Sequence, residues 1–201
     1  EIKILENARS PLPDYPDDKC CLDNEKVGEI CVSGKMVTAG YDRMPGATCD
    51  ARFKIGEFEF HRMGDLGYFD KKGNLRFLGR KAECVYTNDG PIETERCEPA
   101  INQLSCVRKS ALIGIGSVPQ QEPCIVVEPN PEEMQKHGER ALREEILNVC
   151  KSSFSRFGIQ RVFFERRIPV DARHNAKIHR LALSRKWTKL ASHKSKLGKL
   201  S

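Results

Sequence analysis

No apolar run in the 201-residue chain approaches the roughly 20 residues needed to cross a bilayer, and no signal-peptide pattern opens it, so neither a spanning helix nor a secretion signal is expected. It opens at Glu1 within the strand-like Ile2-Lys3-Ile4-Leu5, without an initiator Met, as a piece of a longer protein would. Nine cysteines are present, but none at Cys-x-x-Cys spacing, which argues against a structural zinc site or a redox pair. An odd number of thiols, several in apolar runs, reads as reduced small hydrophobes in a cytoplasmic protein. The Gly-x-x-x-x-Gly-Lys-Ser/Thr loop is missing. So is any aromatic-studded RNA-binding pattern; Trp187 is the single tryptophan. Acids are absent from Ala172 to Ser201, where nine Lys or Arg stand, leaving 25 basic against 28 acidic residues before it. The net charge of +6 therefore belongs to the tail. Such a tail suits nucleic acid or an anionic membrane surface, and equally a solvated helix face with a frayed end, the plainer reading.

What is present centres on His61-Arg62-Met63-Gly64-Asp65-Leu66-Gly67-Tyr68-Phe69-Asp70 and the following Gly79-Arg80. Alternation over Phe58–His61 and the run Leu66–Phe69 predict two short strands, and Lys72-Gly73-Asn74 supplies the turn that joins Phe69 to Leu75–Leu78 as a hairpin. Upstream, residues 1–10 and Gly28–Ser33 read as strands, and Pro45-Gly46-Ala47-Thr48 opens a helical turn reaching Arg52. Downstream the pattern changes. Cys84-Val85-Tyr86 reads as a strand, Thr87–Pro91 as a dense turn, Thr94–Leu104 as a helix, and Val107–Ile115, Cys124–Val127 and Arg161–Glu165 as strands. Glu139–Phe154 and a segment beginning near Ile178 carry helical periodicity. A β-rich segment followed by a small α+β unit results, with the boundary just after Arg80.

The order Gly28-Glu29-Ile30, Gly34, Gly40-Tyr41, Arg62-Met63-Gly64-Asp65, Gly79-Arg80, Pro169-Val170-Asp171 and Ala176-Lys177-Ile178-His179-Arg180 resembles the second half of the adenylate-forming superfamily, over nearly the whole chain. Within it, His61–Gly67, Gly90-Pro91-Ile92 with Thr94-Glu95, Val107–Leu112 and His174-Asn175-Ala176-Lys177-Ile178 look most like the olefin-biosynthesis β-lactone synthetases. The resemblance implies an α+β fold: a β-barrel-like segment, residues 1–80, ending a large N-terminal adenylation domain, then a C-terminal α+β lid domain, residues 81–201, with a short sheet and flanking helices. It implies an AMP-forming acid ligase that makes an acyl-adenylate from a long-chain β-hydroxy acid and closes it to a β-lactone. By position, Lys177 is the catalytic lysine, Asp65 holds the ribose hydroxyls of ATP, Arg80 contacts ribose or phosphate, and Ala82 is the hinge. Arg180 is expected to anchor the lysine's loop.

The implied cofactors are ATP and Mg2+, the metal's ligands lying outside these residues, so no metal residue is named here. The implied partners are the fatty or β-hydroxy acid, the N-terminal domain and other olefin-pathway enzymes. Neither a nucleic acid nor a transmembrane segment is expected, and the isolated residues are expected to be inactive. Two features depart from the usual pattern. Most relatives carry Asp or Lys where Ala82 stands, and the loop Thr87–Pro91 has one Gly followed by Pro where acyl-CoA synthetases place a glycine-rich turn. A fatty acyl-CoA synthetase or acyl-AMP ligase is the alternative enzyme; a non-catalytic basic interaction module is the more distant one. His61 and His174 are candidate bases for lactone closure by residue type alone.

Overall fold

The structure, a computed structural model, describes residues 1–7, 12–38, 40–171 and 177–197, the last six along the backbone only. The chain divides into two compact units, Glu1–Ala82 and Glu83–Ser201, two residues beyond the boundary drawn after Arg80. Among the described residues no helix is long and apolar enough to cross a membrane. The fold is α+β, as the sequence implies.

The first unit is a curled, half-barrel sheet of five strands: β1 (Ile2–Leu5), β2 (Gly28–Val32), β3 (Arg52–Ile55), β4 (Phe58–Phe69) and β5 (Leu75–Arg80), with the short helix α1 (Pro45–Asp50). Its order is β1-β2-β4-β3, and β5 also pairs with β4. The two short strands expected at Phe58–His61 and Leu66–Phe69 are one strand of 12 residues. Its first half pairs with β3 and its second with β5, and each partner supplies the ladder bonds that alternation alone left undecided. Strands β3 and β4 bring Phe53 and Phe60 into a stack 5.9 Å apart, with Leu5, Cys31 and Ile55 around them. Asp70 builds the hairpin turn: its Oδ1 accepts from the amides of Lys72 and Asn74, each at 2.9 Å, and these bonds hold its carboxyl down at about 2. At Gly28 the chain passes so close to β1 that a Cβ would lie 2.0 Å from the Leu5 carbonyl oxygen.

The second unit is a layered sandwich. Its three-stranded sheet runs β10 (Arg161–Phe164), β9 (Glu122–Pro129), β8 (Val107–Ile115); β8 and β9 are antiparallel, and β10 joins β9 in parallel after the crossover helix α3 (Pro131–Ser153). A small hairpin, β6 (Val85–Thr87) and β7 (Gly90–Ile92), and the short helix α2 (Glu98–Ile101) precede it. Side chains alternate across the sheet. Leu112, Ile125 and Val127 meet Ile101, Leu142 and Ile146 on one face; Ala111, Ile113, Cys124 and Val126 meet Ile178 and, from the last helix, α4 (Arg180–Leu197), Leu183 and Trp187 on the other. Each fully buried Leu or Ile here contributes about 1.5–3 kcal/mol.

The helix expected over Thr94–Leu104 is instead a 3-10 turn, Thr94–Arg96, followed by the four-residue α2, because Pro99 lacks the amide a continuous helix would use. Conversely α3 begins at Pro131, eight residues before the expected start, and is interrupted at Gly138, whose φ of 77° only glycine adopts readily. Through Leu183, Trp187 and Ala191 the start of the basic tail is packed against the sheet.

Candidate active site

Asp65 on β4 and Arg80 on β5 are direct partners in the antiparallel ladder, so the sheet itself sets them side by side. Arg80 Nε stands 3.1 Å from Asp65 Oδ1, and its Nη1 donates to the Met63 carbonyl at 3.2 Å. The Asp65 contact is an ion pair without hydrogen-bond alignment, leaving the buried Oδ1 with no donor among the described residues. Burial pushes this carboxyl above the usual carboxylate range; the Arg80 charge opposes that rise and the nearby Glu29 adds to it. A carboxylate short of donors, facing a guanidinium, is chemically suited to a vicinal diol, whose two hydroxyls donate.

Beside this pair lies a charged cluster to which the sequence assigned no role. Glu29 on β2 is only 3% exposed, and its Oε2 accepts from Arg62 Nη2 at 2.5 Å and from Lys81 Nζ at 3.0 Å. Arg62 Nη1 also reaches the Asp50 carbonyl, at 3.3 Å. Glu29, Arg62 and Lys81 help to line an open groove of about 540 Å³ with Tyr41, Met44 and Gly64. An acid buried in β2 has to find a cation, but partners 33 and 52 residues away carry no local signal.

In the second unit, Lys177 is exposed, and among the described residues no carboxylate lies within ion-pair distance of it. Its backbone is fixed from both sides. The Asp171 amide donates to the Lys177 carbonyl at 2.8 Å and the His179 amide to the Pro169 carbonyl at 2.9 Å, around a Val170–Ile178 bridge. Ile178 is buried beneath. Three residues on, Arg180 Nη2 donates to Glu98 Oε2 at 2.6 Å while Nη1 lies 3.1 Å from Glu83 Oε2, so this arginine anchors rather than reaches out. Glu98 Oε1 also accepts the Leu112 amide at 2.7 Å. Burial raises the Glu98 carboxyl, outweighing Arg180 and that amide.

Of the sequence-derived site residues, Asp65, Arg80 and Ala82 thus belong to the first unit and Lys177 to the second; Ala82 is exposed in the 3-10 turn Lys81–Glu83. The Thr87–Pro91 turn closes the β6–β7 hairpin, with Thr87 Oγ1 donating to the Gly90 carbonyl at 2.9 Å. His61 lies on β4 with its Nδ1 buried and without a hydrogen-bond partner among the described residues, and its pKa is lowered by burial first and by Arg52 second, against a backbone hydrogen bond to Ala51. His174 lies outside the described residues. Among the described residues no three His, Cys, Asp or Glu side chains gather as a metal site.

No family model matches the chain. It is, however, 35% identical over 189 residues to an olefin β-lactone synthetase of Stenotrophomonas maltophilia and 37% identical over 192 residues to one of Xanthomonas campestris, covering in each case 92% of this chain and 34% of the relative. Solved structures share the fold: ATP-bound MatB of Rhodopseudomonas palustris has a TM-score of 0.73 at 22% identity, covering 94% of this chain and 34% of MatB. MenE of Bacillus subtilis, an o-succinylbenzoate CoA synthetase in complex with its acyl-adenylate intermediate, gives 0.70 at 23% identity, covering 91% and 33%. The chain belongs to the adenylate-forming superfamily. It corresponds to the C-terminal part of such an AMP-ligase and spans about a third of the length of the relatives it matches.

Proposed function

We propose that this chain is the C-terminal part of an ATP-dependent ligase that converts a carboxylic acid to its acyl-adenylate, with a long-chain β-hydroxy acid as substrate and a β-lactone as product. The observation that carries the reading is Lys177: an exposed ammonium without an ion-pair partner among the described residues, on backbone held by the Pro169–Asp171 and Lys177–His179 bonds. ATP as co-substrate is supported by structural neighbours that hold ATP or an acyl-adenylate. The acid follows from the named β-lactone synthetases.

In the first step a carboxylate oxygen bonds to the α-phosphorus and the bond to pyrophosphate breaks. Two anions must meet, and charge gathers on the phosphoryl oxygens, so an ammonium delivered there by Lys177 stabilises the transition state more than the ground state. Asp65 accepts from the ribose hydroxyls, giving its Oδ1 the donors it lacks, and Arg80 lies beside it for ribose or phosphate oxygens. The second unit acts as a lid that turns about Ala82. In the second step the substrate's own β-hydroxyl oxygen attacks the acyl carbon, AMP leaves with the bonding pair, and the hydroxyl proton passes to water; tethering makes this attack effectively unimolecular. Magnesium is assigned no ligand here, since the described residues do not gather one.

The experiment uses a protein extended to the length of its relatives, supplied with ATP and a β-hydroxy acid. AMP release without coenzyme A, together with a lactone product, is expected. AMP release that requires coenzyme A would favour a thioester-forming ligase, the reading suggested by 32% identity over 182 residues to the oxalate–CoA ligase of Saccharomyces cerevisiae.

A further inference from the structure

The residues flanking Ala82 are each tied to their own unit. On one side Lys81 Nζ lies 3.0 Å from Glu29 Oε2, a carboxylate already held by Arg62. On the other, Glu83 Oε2 lies 3.1 Å from Arg180 Nη1, whose remaining nitrogens grip Glu98. Both anchors are rooted in sheet structure. Glu29 is part of β2, and Glu98 is tied to β8 through the Leu112 amide. Ala82 ends in a methyl group and has no such tie.

We propose that Lys81 and Glu83 confine the swivel between the two units to Ala82, and that Glu83 is a positioning residue which carries the setting of that swivel to Lys177 through Arg180. The inference rests on the function proposed above for Lys177 and for the lid. Turning residue 81 or 83 breaks an ion pair rooted in a rigid sheet, whereas turning residue 82 breaks none of its own, so rotation concentrates there. The missing polar hold at Ala82 is thereby supplied by its two neighbours. From Glu83 the connection continues within one unit: Arg180 stands three residues after Lys177, with buried Ile178 between them and the His179 amide bonded to Pro169. The first residue of the lid and the lysine loop are therefore braced against the same guanidinium.

Amide hydrogen exchange on this chain tests the brace without reference to activity. Glu83→Gln leaves Arg180 its Glu98 partner, so the unit stays folded. Exchange at the Asp171 and His179 amides is expected to quicken about tenfold, with Ala111 and Val126 in the sheet unchanged and Glu83→Asp partly restoring protection. Lys81→Met is expected to quicken exchange over residues 81–83 and to leave Asp171 and His179 as they were, with Lys81→Arg restoring it. In the extended protein, Glu83→Gln should lower kcat for adenylate formation with KM for ATP unchanged. The proposal is overturned if Glu83→Gln leaves Asp171 and His179 at the wild-type rate, if it quickens the whole unit alike, or if Lys81→Met is felt at Asp171. Failure of the underlying function reading looks different: adenylate formation would then be indifferent to Lys177→Ala, whatever the exchange rates.

Discussion

Replacing Arg180 with Met isolates the buried charge that secures the end of the lysine loop. The Arg180 side chain is 11% exposed and that of Glu98 7%, so the substitution leaves Glu98 buried with the Leu112 amide as its remaining donor among the described residues. Removing one partner of a buried pair costs about 3–5 kcal/mol, because the other charge is stranded. The Glu83 contact is lost in the same substitution. At roughly 4 °C per kcal/mol for a unit of this size, the melting temperature should fall by about 12–20 °C. Trp187, the only tryptophan, stacks on Phe163 at 4.2 Å, so its fluorescence reports this unit alone.

The pH dependence gives the sign. Burial already raises the Glu98 carboxyl above 4.5, and loss of Arg180 raises it further. A group whose pKa is raised in the folded state stabilises that state below the unfolded value, and the advantage is lost as pH rises through the folded value. The variant's deficit should therefore be small near about pH 3, well below the ordinary glutamate value, where Glu98 is protonated in both states, and complete at pH 8. A companion Glu98→Gln should recover much of the loss at pH 8, having removed the stranded charge. A fall below about 4 °C at pH 8, or an equal deficit at both pH values, would refute the reasoning.

Two further outcomes concern packing. Gly28→Ala places a methyl carbon 2.0 Å from the Leu5 carbonyl oxygen, so β1 must move. About 3 kcal/mol or more is expected to be lost from the first unit, visible as a lowered calorimetric transition while the Trp187 signal holds. Iodoacetamide at pH 8 should label exposed Cys49 first, while Cys31, Cys84, Cys97 and Cys124, pushed up to about 12 by burial, and Cys106 and Cys150, pushed up to about 11, stay protected until unfolding. At that pH a thiol of pKa 11 is only roughly one part in a thousand thiolate. Prompt labelling of a buried thiol, by peptide mass, would contradict the core as described.

Where short-range chemistry decides the structure, the sequence was informative. The Asp70–Asn74 turn, strands β8–β10 and the periodic second half of α3 follow from turn residues, apolar runs and helical spacing. β3 escaped notice although Arg52-Phe53-Lys54-Ile55 alternates, because four residues beside a Pro-Gly helical turn give too little pattern to separate from the turn itself. The break at Pro99 could have been read from the proline alone. The ion pairs could not. Glu29 meets Arg62 33 positions away and Glu98 meets Arg180 82 positions away, contacts set by sheet and helix packing rather than by neighbours in the chain. Resemblance supplied the roles proposed for Asp65, Arg80 and Lys177, whereas the contact of Arg180 with Glu83 emerged only from the structure.

The central claim is that one exposed ammonium, Lys177, is delivered to the α-phosphate during acid activation. ATP–pyrophosphate exchange by the extended protein carrying Lys177→Ala tests it most directly. A loss of about 10²–10³-fold is predicted, with lactone formation from a supplied acyl-adenylate retained. Exchange within about threefold of the wild-type rate would contradict it, since so small a change is under 1 kcal/mol of transition-state stabilisation.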